Sequence, residues 1–156
     1  IFTPIKNVNF QIMDITKLDK FKDESFDKIT CFDVIEHIPR EDAEKVVKNF
    51  ARMLKKNGKL YLTTPNGEEF YGRIFGHKTL HKHYWEYSVK ELVKMFWPYF
   101  EDIKVNGYYI QLFPKVGRYP DVFPFRGIFN FLIKAGLNNP TWSYGILIRG
   151  KKKDAK

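Results

Sequence analysis

Asp33, Glu36 and His37 stand three and four residues apart in the run Asp33-Val34-Ile35-Glu36-His37. If a helical turn begins at Asp33, two carboxylates and an imidazole share one side of it. Carboxylate and imidazole are ordinary ligands of divalent metals. The same trio can do acid–base chemistry, because a histidine titrates near neutral pH and can take the proton of a reacting hydroxyl. The competing reading is structural. Asp33-x-x-Glu36 is a capping-box variant, in which both side chains satisfy backbone donors. The other three histidines, His77, His81 and His83, fall in a segment, 67–87, that Gly72 and Gly76 interrupt. It reads as a functional-type loop whose histidines are further ligands or polar surface.

The elements that must position these groups follow from periodicity. Val8, Phe10 and Ile12 alternate with Asn9, Gln11 and Met13, which predicts a strand ending at Asp14. A second strand is expected over Phe26 to Phe32, with Cys31 inside it. Ala43, Val46, Val47, Phe50, Met53 and Leu54 repeat at offsets of three and four, which predicts a helix from Glu41 to Lys56, stopped by Asn57-Gly58. A strand follows over Lys59 to Thr64 and ends at Pro65-Asn66-Gly67. Ser88-Val89-Lys90-Glu91 is a capping box opening a helix to Trp97, with Val89, Leu92, Val93, Phe96 and Trp97 on one face. The remaining expectations are a strand over Glu101 to Leu112, a proline-punctuated connection over Pro114 to Pro124, a helix over Gly127 to Ala135 and a strand over Thr141 to Arg149. Alternation of this kind is α/β. In open α/β sheets ligands sit beyond the carboxyl ends of the strands. Asp14, then Asp33, Glu36 and His37, then Thr64 and Asn66 therefore form a candidate rim.

Composition bounds the rest. A chain of 156 residues, 44% hydrophobic and 17% aromatic, has the size and content of one globular domain. We assign it residues 1–150, followed by a basic tail at 151–156. One cysteine excludes an intrachain disulfide and a cysteine-cluster zinc site. No run of about 18 uncharged apolar residues predicts a membrane span, and no signal-peptide pattern follows Ile1, so a cytoplasmic location is expected. The net charge of +9 is uneven. Residues 1–50 carry 8 Lys/Arg against 10 Asp/Glu, and residues 51–156 carry 19 against 8. A basic second half suits phosphates, nucleic acid or an anionic membrane, or is a solubilising surface. The aromatic stretch Val122 to Leu137 reads as core packing, or as a lid over a hydrophobic or lipid-linked substrate.

The order of Val8 to Asp14, Ser25-Phe26-Asp27, Cys31-Phe32-Asp33-Val34-Ile35-Glu36-His37-Ile38, Leu54-Lys55-Lys56-Asn57-Gly58-Lys59-Leu60 and Thr63-Thr64-Pro65-Asn66 resembles the class I S-adenosylmethionine-dependent methyltransferases. The likeness is strongest to the ubiquinone-biosynthesis O-methyltransferase group, and His83 before the Ser88 helix extends it. The resemblance implies an incomplete Rossmann-like sheet, the family's strands three to seven, mostly parallel with one antiparallel strand near an edge. It implies S-adenosylmethionine as cofactor, with Asp14 and Ile15 at the adenine and Phe32, Asp33 and Val34 at the methionine end. His37, with Glu36, would act on the acceptor, and Asn66, His83 and Tyr84 would face it. The acceptor would be a small or lipid-linked molecule, with RNA as an alternative. Asp33, Glu36, His37 and His83 also resemble the metal set of the small-RNA 3′-end methyltransferases, with Asp33 where that pattern has Glu. The family's glycine-rich loop lies upstream of its third strand and has no counterpart here. A chain beginning partway through the domain is one expectation, and a shortened binding module without activity is the other. In either case the Val8 strand would lack its usual neighbour, which predicts a homodimer through that exposed strand.

Overall fold

The computed structural model describes residues 6–68, 83–108, 140 and 143–154. Its elements are β1 (Phe26–Phe32), a 3-10 turn (Ile35–His37), α1 (Arg40–Met53), β2 (Leu54–Pro65), α2 (Val89–Phe96), β3 (Phe100–Tyr108) and β4 (Gly145–Lys152). The strands form one sheet in the order β1-β2-β4-β3. β1 and β2 are parallel, whereas β2–β4 and β3–β4 are both antiparallel. The expectation of a mostly parallel sheet is therefore overturned. One reversed strand inserted between β2 and β3 makes two of the three pairings antiparallel.

The predicted strand at Val8–Met13 does not form. Among the described residues no strand pairs with this segment. Val8, Phe10 and Ile12 are 47%, 68% and 105% exposed. Met13 and Ile15 instead pack against the core. Alternating hydrophobicity makes a strand only where a neighbour takes up the backbone hydrogen bonds. The dimer expected through a strand here loses its structural basis.

α1 begins after Pro39 and ends at Met53, three residues earlier than the pattern predicted. Leu54 leaves the helix because it pairs with Phe26 at the foot of β1. The backbone N–H groups of Glu24 and Ser25 donate to the carbonyls of Arg52 and Met53 and fix that crossing. Arg52 completes it by donating to the carbonyls of Leu18 (3.0 Å) and Phe21 (2.7 Å) and to the Asp23 carboxylate. Asn57-Gly58 therefore does not stop the helix. It makes a bulge inside β2, where the register jumps from Phe26↔Leu54 to Lys28↔Lys59 and Asn57 takes φ 63°.

The two faces of the sheet differ. Leu60, Leu62, Thr64, Ile146 and Ile148 are buried. In one core with them stand Val46, Val47 and Phe50 of α1 and Leu92, Met95 and Phe96 of α2. Phe96 also meets Phe100, ring centroids 5.0 Å apart. On the opposite face the register sets like charges beside one another. Lys28 pairs with Lys59, Lys59 with Lys151, and Lys104 with Arg149. Like charges set directly opposite one another weaken a sheet.

Some sequence expectations shift by a few residues. Trp97 is not on the buried face of α2. It caps the helix, is 67% exposed, and carries Lys153 over its ring. β4 starts at Gly145 and takes in Lys151 and Lys152, which had been placed in the tail. The expected Glu101–Leu112 strand is seen from Phe100 to Tyr108. His77, His81, the Pro114–Pro124 connection, the Gly127–Ala135 helix and the whole Val122–Leu137 stretch lie outside the described residues. The capping box is present in full, with Ser88 Oγ accepting from the Glu91 N–H and Glu91 Oε2 accepting from the Ser88 N–H. Ser88→Ala should lower the unfolding free energy by about 1 kcal/mol, read as a shift of the urea midpoint at constant slope.

Candidate active site

Glu36 is the centre of the site, although nothing in its local sequence marks it as buried. Its side chain is 1% exposed, and its Oε2 accepts a 3.0 Å hydrogen bond from Thr64 Oγ1 on β2. Its backbone carbonyl accepts from the N–H of Tyr84 (2.8 Å) and of Trp85 (3.3 Å). One residue thus ties the turn after β1 to the end of β2 and to the segment before α2. The consequence is that His83 arrives beside His37, with ring centroids 4.9 Å apart at 71°. His37 Nε2 lies 4.0 Å from Glu36 Oε1, and His83 Nδ1 lies 2.8 Å from Glu86 Oε1. Burial pushes the Glu36 carboxyl above the usual carboxylate range, and nearby Asp33 pushes the same way. Hydrogen bonds from the backbone and Thr64, and the neighbouring His37, act against that rise.

Asp33 goes elsewhere. Neighbouring residues of a strand point to opposite faces. Thr64 Oγ1 serves Glu36, while Thr63 Oγ1 donates to Asp33 Oδ1 at 3.0 Å on the other side. Tyr108 Oη, from the far strand β3, donates to the same Oδ1 at 2.9 Å. Asp33 takes φ 52°, a left-handed conformation that costs a non-glycine residue energy and clusters at functional sites. Burial, followed by the bond to Asp33, pushes the Tyr108 phenol well up, so it remains a hydrogen-bond donor. Ligating atoms of Glu36, His37 and His83 all come within 4.8 Å of one another; Asp33 is not in that group. The capping-box alternative for Asp33 and Glu36 is not realised either, since the turn there spans Ile35–His37 with Val34 at its N-cap and no side-chain cap.

The other candidates are placed as follows. Asp14 Oδ1 accepts from the N–H (2.9 Å) and hydroxyl (2.7 Å) of Thr16, and Oδ2 lies 3.5 Å from Lys17 Nζ. The Thr16 hydroxyl holds the Asp14 carboxyl below its ordinary value. Ile15 and Val34 pack against the core, and Phe32 stands 55% exposed at the end of β1. Tyr84 is 69% exposed beside the histidines. Asn66 is buried, and its amide is spent on the backbone. Its Nδ2 donates to the carbonyls of Pro140 (2.8 Å) and Ser143 (2.9 Å), and its Oδ1 accepts from Glu68 N–H. Asn66 therefore fastens the start of β4 to the end of β2. Sequence reading missed Glu86, Tyr87 and Tyr108. His83-x-x-Glu86 was visible as a spacing, whereas the reach of Tyr108 to Asp33 depends on the sheet order and has no local signal. Tyr87 is 1% exposed, and its hydroxyl has no hydrogen-bond partner among the described residues.

Comparison with known proteins bears on the fold. A family model described as a methyltransferase domain matches residues 2–62. A ubiquinone biosynthesis O-methyltransferase of Coxiella burnetii is 42% identical over 60 residues, 38% of this chain and 24% of that protein. One from Xanthomonas oryzae pv. oryzae is 31% identical over 85 residues, 47% of this chain and 35% of its own length. The chain thus matches about a quarter to a third of the curated relatives' length. Among solved structures, an S-adenosylmethionine-dependent methyltransferase from Archaeoglobus fulgidus superposes with a TM-score of 0.65 at 16% identity, covering 94% of this chain and 68% of that one. One from Thermotoga maritima gives 0.63 at 24% identity, covering 86% and 59%. The fold is that of the class I methyltransferases. The cofactor of that fold is S-adenosylmethionine, and the carboxyl ends of β1 and β2, where Glu36 meets Thr64 and Asp33 meets Thr63, are where an open sheet of this kind holds its ligand. No helix among the described residues is long and apolar enough to cross a membrane.

Glu36→Gln tests the buried carboxyl. A carboxyl whose folded pKa lies above its unfolded value stabilises the fold fully below the unfolded value, and that contribution is lost as pH rises through the folded one. The variant lacks this loss. Its stability relative to the parent should therefore rise with pH from about 4.5 upward, as read by urea denaturation across pH 4–8.

Proposed function

We propose that the chain forms the acceptor-activating part of an S-adenosylmethionine-dependent O-methyltransferase. The observation that carries this is the convergence of Glu36, His37 and His83 at the sheet's carboxyl end. The reaction is an in-line transfer of the sulfonium methyl to an acceptor hydroxyl, and it needs positioning together with a group to take the hydroxyl proton. His37 takes that proton. Glu36 lies 4.0 Å from its Nε2 and stabilises the charge that forms on the ring. His83, held by Glu86, and exposed Tyr84 border the acceptor. The names of the Coxiella and Xanthomonas relatives, together with the exposed aromatic side chains of Phe32 and Tyr84, favour a small or lipid-linked acceptor.

The cofactor residues fit one side of the ligand. Thr16 occupies Asp14 Oδ1, and Oδ2, which faces the exposed Lys17 ammonium at 3.5 Å, is the oxygen that would take an adenine amino group. Ile15 lies beside it, and Phe32, Asp33 and Val34 border the methionine end. Residues 1–156 contain no Gly-x-Gly stretch, so these residues do not build the ribose side of the pocket. When bound, the cofactor supplies the electrophilic methyl; the chain's own residues orient the acceptor and accept its proton.

Isothermal titration of this chain with millimolar S-adenosylmethionine should give a saturable heat that Phe32→Ala weakens about tenfold, the loss of one good apolar contact. No heat at that concentration would mean that these residues do not hold the cofactor unaided. In a chain that transfers methyl to a hydroxyl, His37→Ala should lower kcat about 10²–10⁴-fold with little change in cofactor affinity.

A second reading of the same cluster is a divalent cation on Glu36, His37 and His83, favoured by their mutual approach within 4.8 Å. It would lower the pKa of the acceptor hydroxyl directly. Under this reading Mn²⁺ should raise the thermal midpoint, His83→Ala should abolish the rise, and Asp33→Asn should not.

A further inference from the structure

The sheet face opposite the core carries a basic cleft. Lys59 and Tyr61 of β2, Lys104 of β3 and Arg149 and Lys151 of β4 line a cleft of about 380 Å³, with Asp102 and Gly150. Among the described lining residues Asp102 is the only acid. Lys151 is paired with Glu101 at 2.8 Å, but no described carboxylate lies within ion-pair distance of Lys59, Lys104 or Arg149. Lys59, Lys104 and Arg149 are exposed, as is Lys28 on the adjoining strand.

The register makes this more than a scatter of surface lysines. Lys28, Lys59 and Lys151 form one row across three strands, closed on β3 by Glu101 opposite Lys151, and Tyr61, Arg149 and Lys104 form the next, which holds no acid. Cations set directly opposite one another repel, so the pattern works against the sheet unless an anion spans it. Tyr61 stands in the second row beside Arg149, so an aromatic ring lies among the cations. Phosphate-binding cations around an aromatic platform are the two requirements for sequence-tolerant binding of a single strand. The cleft is concave, which suits a chain laid into it better than a planar bilayer.

We propose that this sheet face binds a single-stranded nucleic acid, with its phosphates on Lys59, Lys104, Arg149 and Lys151 and a base stacked on Tyr61. The site lies on β2, β3 and β4 and uses none of the residues assigned to methyl transfer, so it stands independently of that reading.

Fluorescence anisotropy of the full chain with a labelled 12-nucleotide single-stranded RNA of mixed sequence tests it. Four phosphate contacts predict a loss of about sevenfold in affinity for each doubling of salt, from a slope near −0.7 per contact. Lys59→Gln with Arg149→Gln should lower affinity at least tenfold without lowering the thermal midpoint, because a repulsive row is relieved. Lys45→Glu on α1 changes the net charge by the same amount and should leave the affinity within about twofold. Tyr61→Leu keeps the apolar bulk and should cost about fivefold or more through lost stacking. Equal weakening by Lys45→Glu would overturn the proposal in favour of non-specific charge. So would binding to poly-glutamate or to phosphatidylglycerol vesicles as tight as to RNA, or an affinity indifferent to Tyr61. Cofactor titration of the same variants should be unchanged, which separates failure here from failure of the methyltransferase reading.

Discussion

The site depends on one buried carboxylate. Water would solvate Glu36 well, and its removal to a 1% exposed position is costly unless the group is hydrogen-bonded. Thr64 supplies the side-chain bond, and the two amides of Tyr84 and Trp85 occupy the main-chain carbonyl. These three bonds come from two segments far apart in sequence. The bonds of Tyr84 and Trp85 to the Glu36 carbonyl set His83, the next residue along the chain, against His37, the residue after Glu36. Satisfying one buried residue therefore also assembles the chemistry.

The pleat of β2 then divides the labour. Thr63 and Thr64 are neighbours in sequence, and each hydroxyl serves a different acid on a different face. Asp33 is thereby separated from Glu36 and held in a left-handed turn by Thr63 and Tyr108. Its ring partner is able to approach because Gly145 stands opposite Tyr108; a side chain at Gly145 would meet the Tyr108 ring. The reversed strand β4 is what makes this link, since it lies between β2 and β3 and sets Tyr108 at the same level as the end of β1.

Much of this was legible in the sequence where the determinants are local. The apolar stripe of α1, the Ser88–Glu91 box and the polar groups ending β1 and β2 all depend on residues within a few positions of one another. The failures have a common physical cause. Leu54 leaves α1, residues 8–13 pair with no described strand, and Asp33 parts from Glu36 because of long-range pairings that local periodicity does not encode. Asn66 was expected to face an acceptor, yet its amide binds the carbonyls of Pro140 and Ser143, more than 70 residues away. Spacing identified which residues are chemically able; the sheet order decided which of them meet.

The most direct measurement of the central claim is the titration of the Glu36 carboxyl carbon by NMR, in the parent chain and in Thr64→Val. If Glu36 is a buried acid kept in place by Thr64, its midpoint lies above the ordinary 4.5 in the parent and climbs further when the hydroxyl is removed. A midpoint at or below 4.5, or one that does not respond to the loss of Thr64, would contradict the account.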